Sequence, residues 1–113
     1  MSLSVGQAWA VLLVAGLFEI VWALGLKYSD GFSKLWPSAV VVVGAAVSFW
    51  LLALAMRSLP AGTAYAVWTG IGAAGTALLG IMLLGESASV VRLGCIALIV
   101  LGVLGLKFAG DAS

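Results

Sequence analysis

Charge is scarce in this chain. Five Lys or Arg and four Asp or Glu make up 8% of 113 residues, where a soluble domain carries about a quarter. So few charges cannot coat a globule this small, and a soluble fold is excluded. No basic run exists, so a nucleic-acid partner has no electrostatic footprint. Histidine is absent, which removes the commonest metal ligand and the usual proton shuttle near neutral pH. The single cysteine, Cys95, can form no internal disulfide. Without a histidine to act as base it is a poor nucleophile candidate, and the bland reading is a small apolar residue. No enzyme activity, metal or cofactor is therefore expected. Disorder is excluded as well, because 65% of the residues are hydrophobic and disordered chains are poor in them.

What is present is a surplus of apolar residues, with a mean hydropathy of +1.29. An integral membrane protein is the class that remains. One helical span takes roughly 20 residues, so four spans fit, with little left for loops. The expectation is an all-α membrane protein, one four-helix domain over residues 1–113. The spans are expected at about 6–26, 36–56, 61–84 and 90–106. No Lys or Arg precedes the first apolar run, and that run is too long for a signal-peptide core, so no cleaved signal is expected.

The charged residues punctuate the chain. Lys27, Asp30, Lys34, Arg57, Glu86, Arg92, Lys107 and Asp111 lie at or near the ends of apolar stretches. Pro37 suits a first helical turn, and Trp36 suits the headgroup level. Trp9, near a span end, suits that belt too. The third stretch holds Gly62, Gly70, Gly72, Gly75 and Gly80, which in a membrane let helices approach closely. Sorted by side, Arg57 and Lys107 face Lys27, Lys34 and Arg92. Two against three is almost no bias under the positive-inside rule. One fixed orientation with weak bias fits this, and so does insertion both ways with pairing as an antiparallel dimer.

Glu19 alone sits inside a span. Lys27 lies about 12 Å further along the helix axis at 1.5 Å per residue. An acid at membrane depth costs about 2.5–3.5 kcal/mol on insertion scales, and no basic residue sits at comparable depth to offset it. A carboxyl that merely glued helices could be replaced by Ser or Asn at lower cost. The functional reading is a carboxyl that binds a cation and a proton in turn. Helical spacing sets Ala15, Gly16, Trp22 and Ala23 on its stripe. In the third helix Tyr65, Trp68, Thr69, Gly72 and Thr76 are expected on one face. In the second, Gly44, Ser48, Leu52 and Ala55 are, with the Ser48 hydroxyl at mid-depth. Trp68 lies roughly 10 Å inside its helix, too deep for the interfacial belt. Aromatic faces attract desolvated cations, so a carboxylate with Trp and Tyr suits an organic cation. One Glu per chain, or two in a dimer, is too few oxygens for a hard-metal cage. Two copies would supply eight helices and two Glu19 carboxyls with coupled titrations. Halves running in opposite directions would give both sides equivalent doors, as inverted repeats do.

Three segments carry a resemblance over nearly the whole chain: Ala-Gly-Leu-Phe-Glu-Ile-Val-Trp-Ala at 15–23, Lys-Tyr-Ser-Asp-Gly-Phe at 27–32, and Leu-Pro-Ala-Gly-Thr-Ala-Tyr-Ala-Val-Trp-Thr-Gly-Ile-Gly at 59–72. With them the chain resembles the small multidrug resistance family of four-helix exporters. Trp-Thr-Gly-Ile-Gly together with Ser48 resembles its guanidinium-exporting branch. The resemblance implies a dual-topology antiparallel homodimer, multi-pass in the cell (inner) membrane. It implies export of guanidinium and small substituted guanidinium cations in exchange for protons. It implies Glu19 as the acid shared by proton and substrate, with Trp22, Ser48, Tyr65 and Trp68 lining the substrate site. Guanidinium can give paired hydrogen bonds to a carboxylate. It also implies dimer packing through two small residues seven apart in the fourth helix. Gly102 fits the second position, and Cys95 stands at the first as a departure from the pattern. Three alternatives stay open: a multidrug exporter of quaternary ammonium or aromatic cations by the same proton exchange, a passive cation channel, and a scaffold that transports nothing.

Overall fold

The computed structural model describes residues 3–110, so Asp111 lies outside the described residues. It contains four helices: α1 (Val5–Tyr28), α2 (Leu35–Ala55), α3 (Ala61–Leu84) and α4 (Val90–Gly110). Each is long and apolar enough to cross a membrane. The ends are set by local chemistry. Ser4 caps α1 with a capping box, its hydroxyl accepting from the Gln7 N–H at 3.1 Å while Gln7 Oε1 accepts from the Ser4 N–H at 3.0 Å. α1 runs past the expected end at Leu26 to Tyr28, where the buried Ser29 stops it. The Ser29 hydroxyl donates to the Leu26 carbonyl and accepts from the Phe32 N–H, at 2.8 and 3.1 Å. Asp30, Gly31 and Phe32 then turn the chain through positive φ. Pro60 caps α3, and Gly85 ends it in the left-handed conformation at φ 68°. α4 continues past the expected end at Leu106 to Gly110. Its Lys107 reaches back so that Nζ lies 4.9 Å from the centre of the Trp9 ring, a charge held over an aromatic face near the end of the span.

α1 lies between α2 and α3, and the backbone of α4 packs on α3 alone. The principal extents of 41 × 35 × 16 Å are those of a slab. A 24-residue helix spans about 36 Å and helix axes sit about 8–10 Å apart, so a row in the order α2, α1, α3, α4 accounts for the shape. The core sits where α1 packs between α2 and α3, among Ala8, Leu12, Ala15, Leu52, Ala55, Ala64, Val67 and Trp68. With lipid tails as apolar as Leu, helices associate through close packing rather than hydrophobic gain, and glycine supplies the closeness. Gly16 receives the Ile71 side chain, Gly75 receives Ile20, Gly44 receives Trp22, and Gly70 receives Val103; a Cβ at any of the four would crowd its neighbour. The expected α2 face is the one that packs: Gly44, Ser48, Leu52 and Ala55 are buried, together with Val41.

Candidate functional site

Glu19 sits at mid-length on α1, with its carboxylate against the buried Gly72 of α3, where any side chain would collide with it. One carboxylate oxygen, Oε1, is buried and has no hydrogen-bond partner among the described residues. An unpaired acceptor in such surroundings is costly, and groups left in that state concentrate at functional sites. Four residues before Glu19, the Ala15 carbonyl receives the Glu19 N–H in the regular helix pattern. The same carbonyl accepts the Ser48 hydroxyl of α2 at 2.7 Å. Ser48 in turn accepts from Trp68 Nε1 of α3 at 2.9 Å. The fully buried serine thus ties α2 and α3 to the turn of α1 that carries the acid, and it fixes the Trp68 ring edge-on.

The aromatic residues form a chain. Tyr65 and Trp68 lie 5.6 Å apart between ring centres, Trp68 and Phe49 5.3 Å, and Phe49 and Trp22 6.2 Å, all tilted. These are favourable aromatic separations. Phe49, absent from the sequence-derived set, is the link between Trp22 and Trp68. Trp22 Nε1 is buried with no hydrogen-bond partner among the described residues, a donor available to an acceptor in its neighbourhood. Tyr65 is exposed at 55%, so its ring marks the open end of the chain.

A cavity of about 390 Å³ opens beside Glu19. Its walls are Ala23, Thr69, Gly72, Ala73, Thr76 and Ala77, and its rim holds Lys27, Leu84, Glu86 and Arg92. A volume of a few hundred Å³ is in the range of small-ligand sites, and water takes roughly 30 Å³ per molecule, so a small hydrated cation fits. The Thr76 hydroxyl is buried with no hydrogen-bond partner among the described residues. The α3 face expected to be continuous is therefore divided. Thr69, Gly72 and Thr76 line the cavity, while Trp68 points into the core at Ser48 and Tyr65 follows it. Trp22, Ser48, Tyr65 and Trp68 do not line this cavity. The rim charges Lys27, Glu86 and Arg92, which the sequence presents as span ends, belong to the same cavity as the acid. On α4, Cys95 and Gly102 are exposed, and a side chain on Gly102 would meet nothing.

Comparison with known proteins decides the family. The family model described as Small Multidrug Resistance protein matches residues 7–99. The chain belongs to the small multidrug resistance family. Among curated family relatives, a guanidinium exporter of Yersinia pseudotuberculosis is 64% identical over 103 residues, 91% of this chain and 99% of that protein. A guanidinium exporter of Escherichia coli K12 is 62% identical, covering 91% of this chain and 98% of that protein. A third, from Proteus vulgaris, is 57% identical at 91% and 99% coverage. With four apolar helices of membrane-crossing length, this small multidrug resistance protein is a multi-pass protein of the cell (inner) membrane, and a transporter.

Proposed function

We propose that this chain exports guanidinium and small substituted guanidinium cations in exchange for protons, as an antiparallel homodimer in which both ligands compete for the paired Glu19 carboxylates. One observation carries the reading: an acid in mid-membrane, seated on a glycine, with a buried unpaired oxygen beside a cavity. A guanidinium ion brings planar paired N–H donors that a carboxylate accepts two at a time. A proton satisfies the same oxygen at other times. Exclusive occupancy is the minimal logic of exchange, because a carboxylate that has bound one ligand cannot carry the other. The relatives named as guanidinium exporters, matching this chain over nearly their full length, support the substrate class. Catalysis of a covalent step has no role in this account.

The dimer rests on two features. The row of helices leaves α4 covered on the α3 side alone, and Cys95, Gly102 and Gly105 follow one another on its exposed surface at near-heptad spacing. The near-even split of basic residues between the two sides suits chains inserted both ways.

In liposomes carrying the purified protein, an imposed guanidinium gradient should drive proton movement, and Glu19→Gln should abolish it. Unchanged flux in that variant contradicts the mechanism. Flux driven equally well by tetra-alkylammonium ions would instead favour the multidrug reading.

A further inference from the structure

We propose that Glu86 is an outer cation station at the mouth of the Glu19 cavity, held at rest by the guanidinium of Arg92 and taken over in passing by a guanidinium-class substrate. The inference rests on the transport reading above. Its residues are distinct from those of the Glu19 seat on Gly72. Glu86 and Arg92 line the same cavity as Glu19, and Arg92 Nη2 donates to Glu86 Oε1. The pair is wet, with side-chain exposures of 36% for Arg92 and 39% for Glu86, so a soluble cation can reach it. The loop is built to hold it there. Gly85 turns the chain through positive φ, and the Glu86 N–H donates to the Gly80 carbonyl at 3.2 Å. The Glu86 carboxylate then rests on Gly80, where a side chain would collide with it. Ser89 caps the start of α4 by accepting from the Arg92 N–H at 3.2 Å, which fixes the base of the arginine.

α3 therefore seats two carboxylates on two glycines, Glu19 on Gly72 and Glu86 on Gly80, about 12 Å apart along the helix axis. Thr76 lies one turn from each, its hydroxyl buried in the cavity with no hydrogen-bond partner among the described residues. The three form a graded path for a donor-rich cation. Arg92 carries the same planar donor group as the proposed substrate, tethered to the protein. An ion pair this exposed is weak, so a free guanidinium can exchange with it. The charged groups around the cavity are Glu19, Lys27, Glu86 and Arg92, two of each sign, so loss of Arg92 leaves a free acceptor at the mouth and a negative excess over the whole cavity.

The test is guanidinium-driven proton flux in liposomes, measured against guanidinium concentration for wild type, Glu86→Gln, Arg92→Gln, Arg92→Lys and the double variant Glu86→Gln/Arg92→Gln, with Glu19→Gln as control. Glu86→Gln raises the half-saturating concentration and Arg92→Gln lowers it, each by roughly 2–5-fold, the range of one exposed ion pair. Arg92→Lys, which keeps the charge and loses the paired donors, falls between wild type and Arg92→Gln. The double variant stays above wild type, because the acceptor itself is gone; a mere field effect would make the two shifts cancel. Shifts in the same direction, cancelling shifts, or no shift overturn this inference while an active wild type and a dead Glu19→Gln leave the transport reading standing. An inactive wild type overturns both.

Discussion

α4 and the other three helices are built from similar residues and packed very differently. In α1, α2 and α3 about 28% of each span is buried; in α4 the figure is 6%. The first three hold one another through glycines filled by Ile71, Ile20 and Trp22, and they are cross-tied by the Ala15–Ser48–Trp68 hydrogen bonds. α4 contributes Val103 to the Gly70 notch and buries Ile96, but Gly94, Gly102 and Gly105 open onto nothing. In water such a helix would collapse onto the others. In a bilayer an uncovered apolar face costs little, and small residues on it mark where a second helix can come close. The difference is one of packing: α1–α3 place the acid, and α4 leaves its small residues uncovered.

Substitutions can break that division. The largest effect is expected at Gly72→Val, where the added side chain must displace the Glu19 carboxylate; guanidinium-driven proton flux should vanish in liposomes although α4 is untouched. Next, Gly102→Leu should leave α1–α3 assembled, with helix content by circular dichroism unchanged, and shift cross-linking from dimer to monomer. Loss of helix content instead would show that α4 is not a separable element. Ser48→Ala removes the acceptor of Trp68 and the donor to Ala15. Leaving a buried donor unpaired costs about 1–3 kcal/mol, so the apparent guanidinium affinity should weaken by roughly tenfold or more, and Ser48→Thr should restore most of it. The smallest effect belongs to Lys107→Gln, which removes the charge over Trp9. A loss of about 0.5–1 kcal/mol should show as a shift of a few degrees or less in thermal unfolding, with flux retained.

The number of helices was legible because charge and turn residues mark each span end, and the α2 face was legible because Gly44, Ser48, Leu52 and Ala55 repeat at helical spacing. α3 was harder. Neighbouring residues on a helix point about 100° apart, so Trp68 and Thr69, read as one stripe, enter two different environments, the core and the cavity. Phe49 carries no mark in the sequence beyond being one more aromatic; only the packing of α1 and α3 against α2 sets it between Trp22 and Trp68. Lys27, Glu86 and Arg92 have the positions of span ends, and the share of Glu86 and Arg92 in the Glu19 cavity depends on a loop that folds back at Gly85. Ser48 donates to the Ala15 carbonyl, one helical turn from Glu19, a contact that side-chain direction settles and residue spacing does not.

Proton and guanidinium, on the proposed mechanism, share the Glu19 carboxylates. Protonation removes the negative charge that guanidinium needs, so affinity should fall as pH falls through the titration of the pair, by up to tenfold per pH unit for each proton displaced. The most direct measurement is proton release on mixing guanidinium with detergent-solubilised protein in weakly buffered solution. Wild type should release protons on binding, and Glu19→Gln should release none. Guanidinium binding to wild type with no proton released would contradict the account.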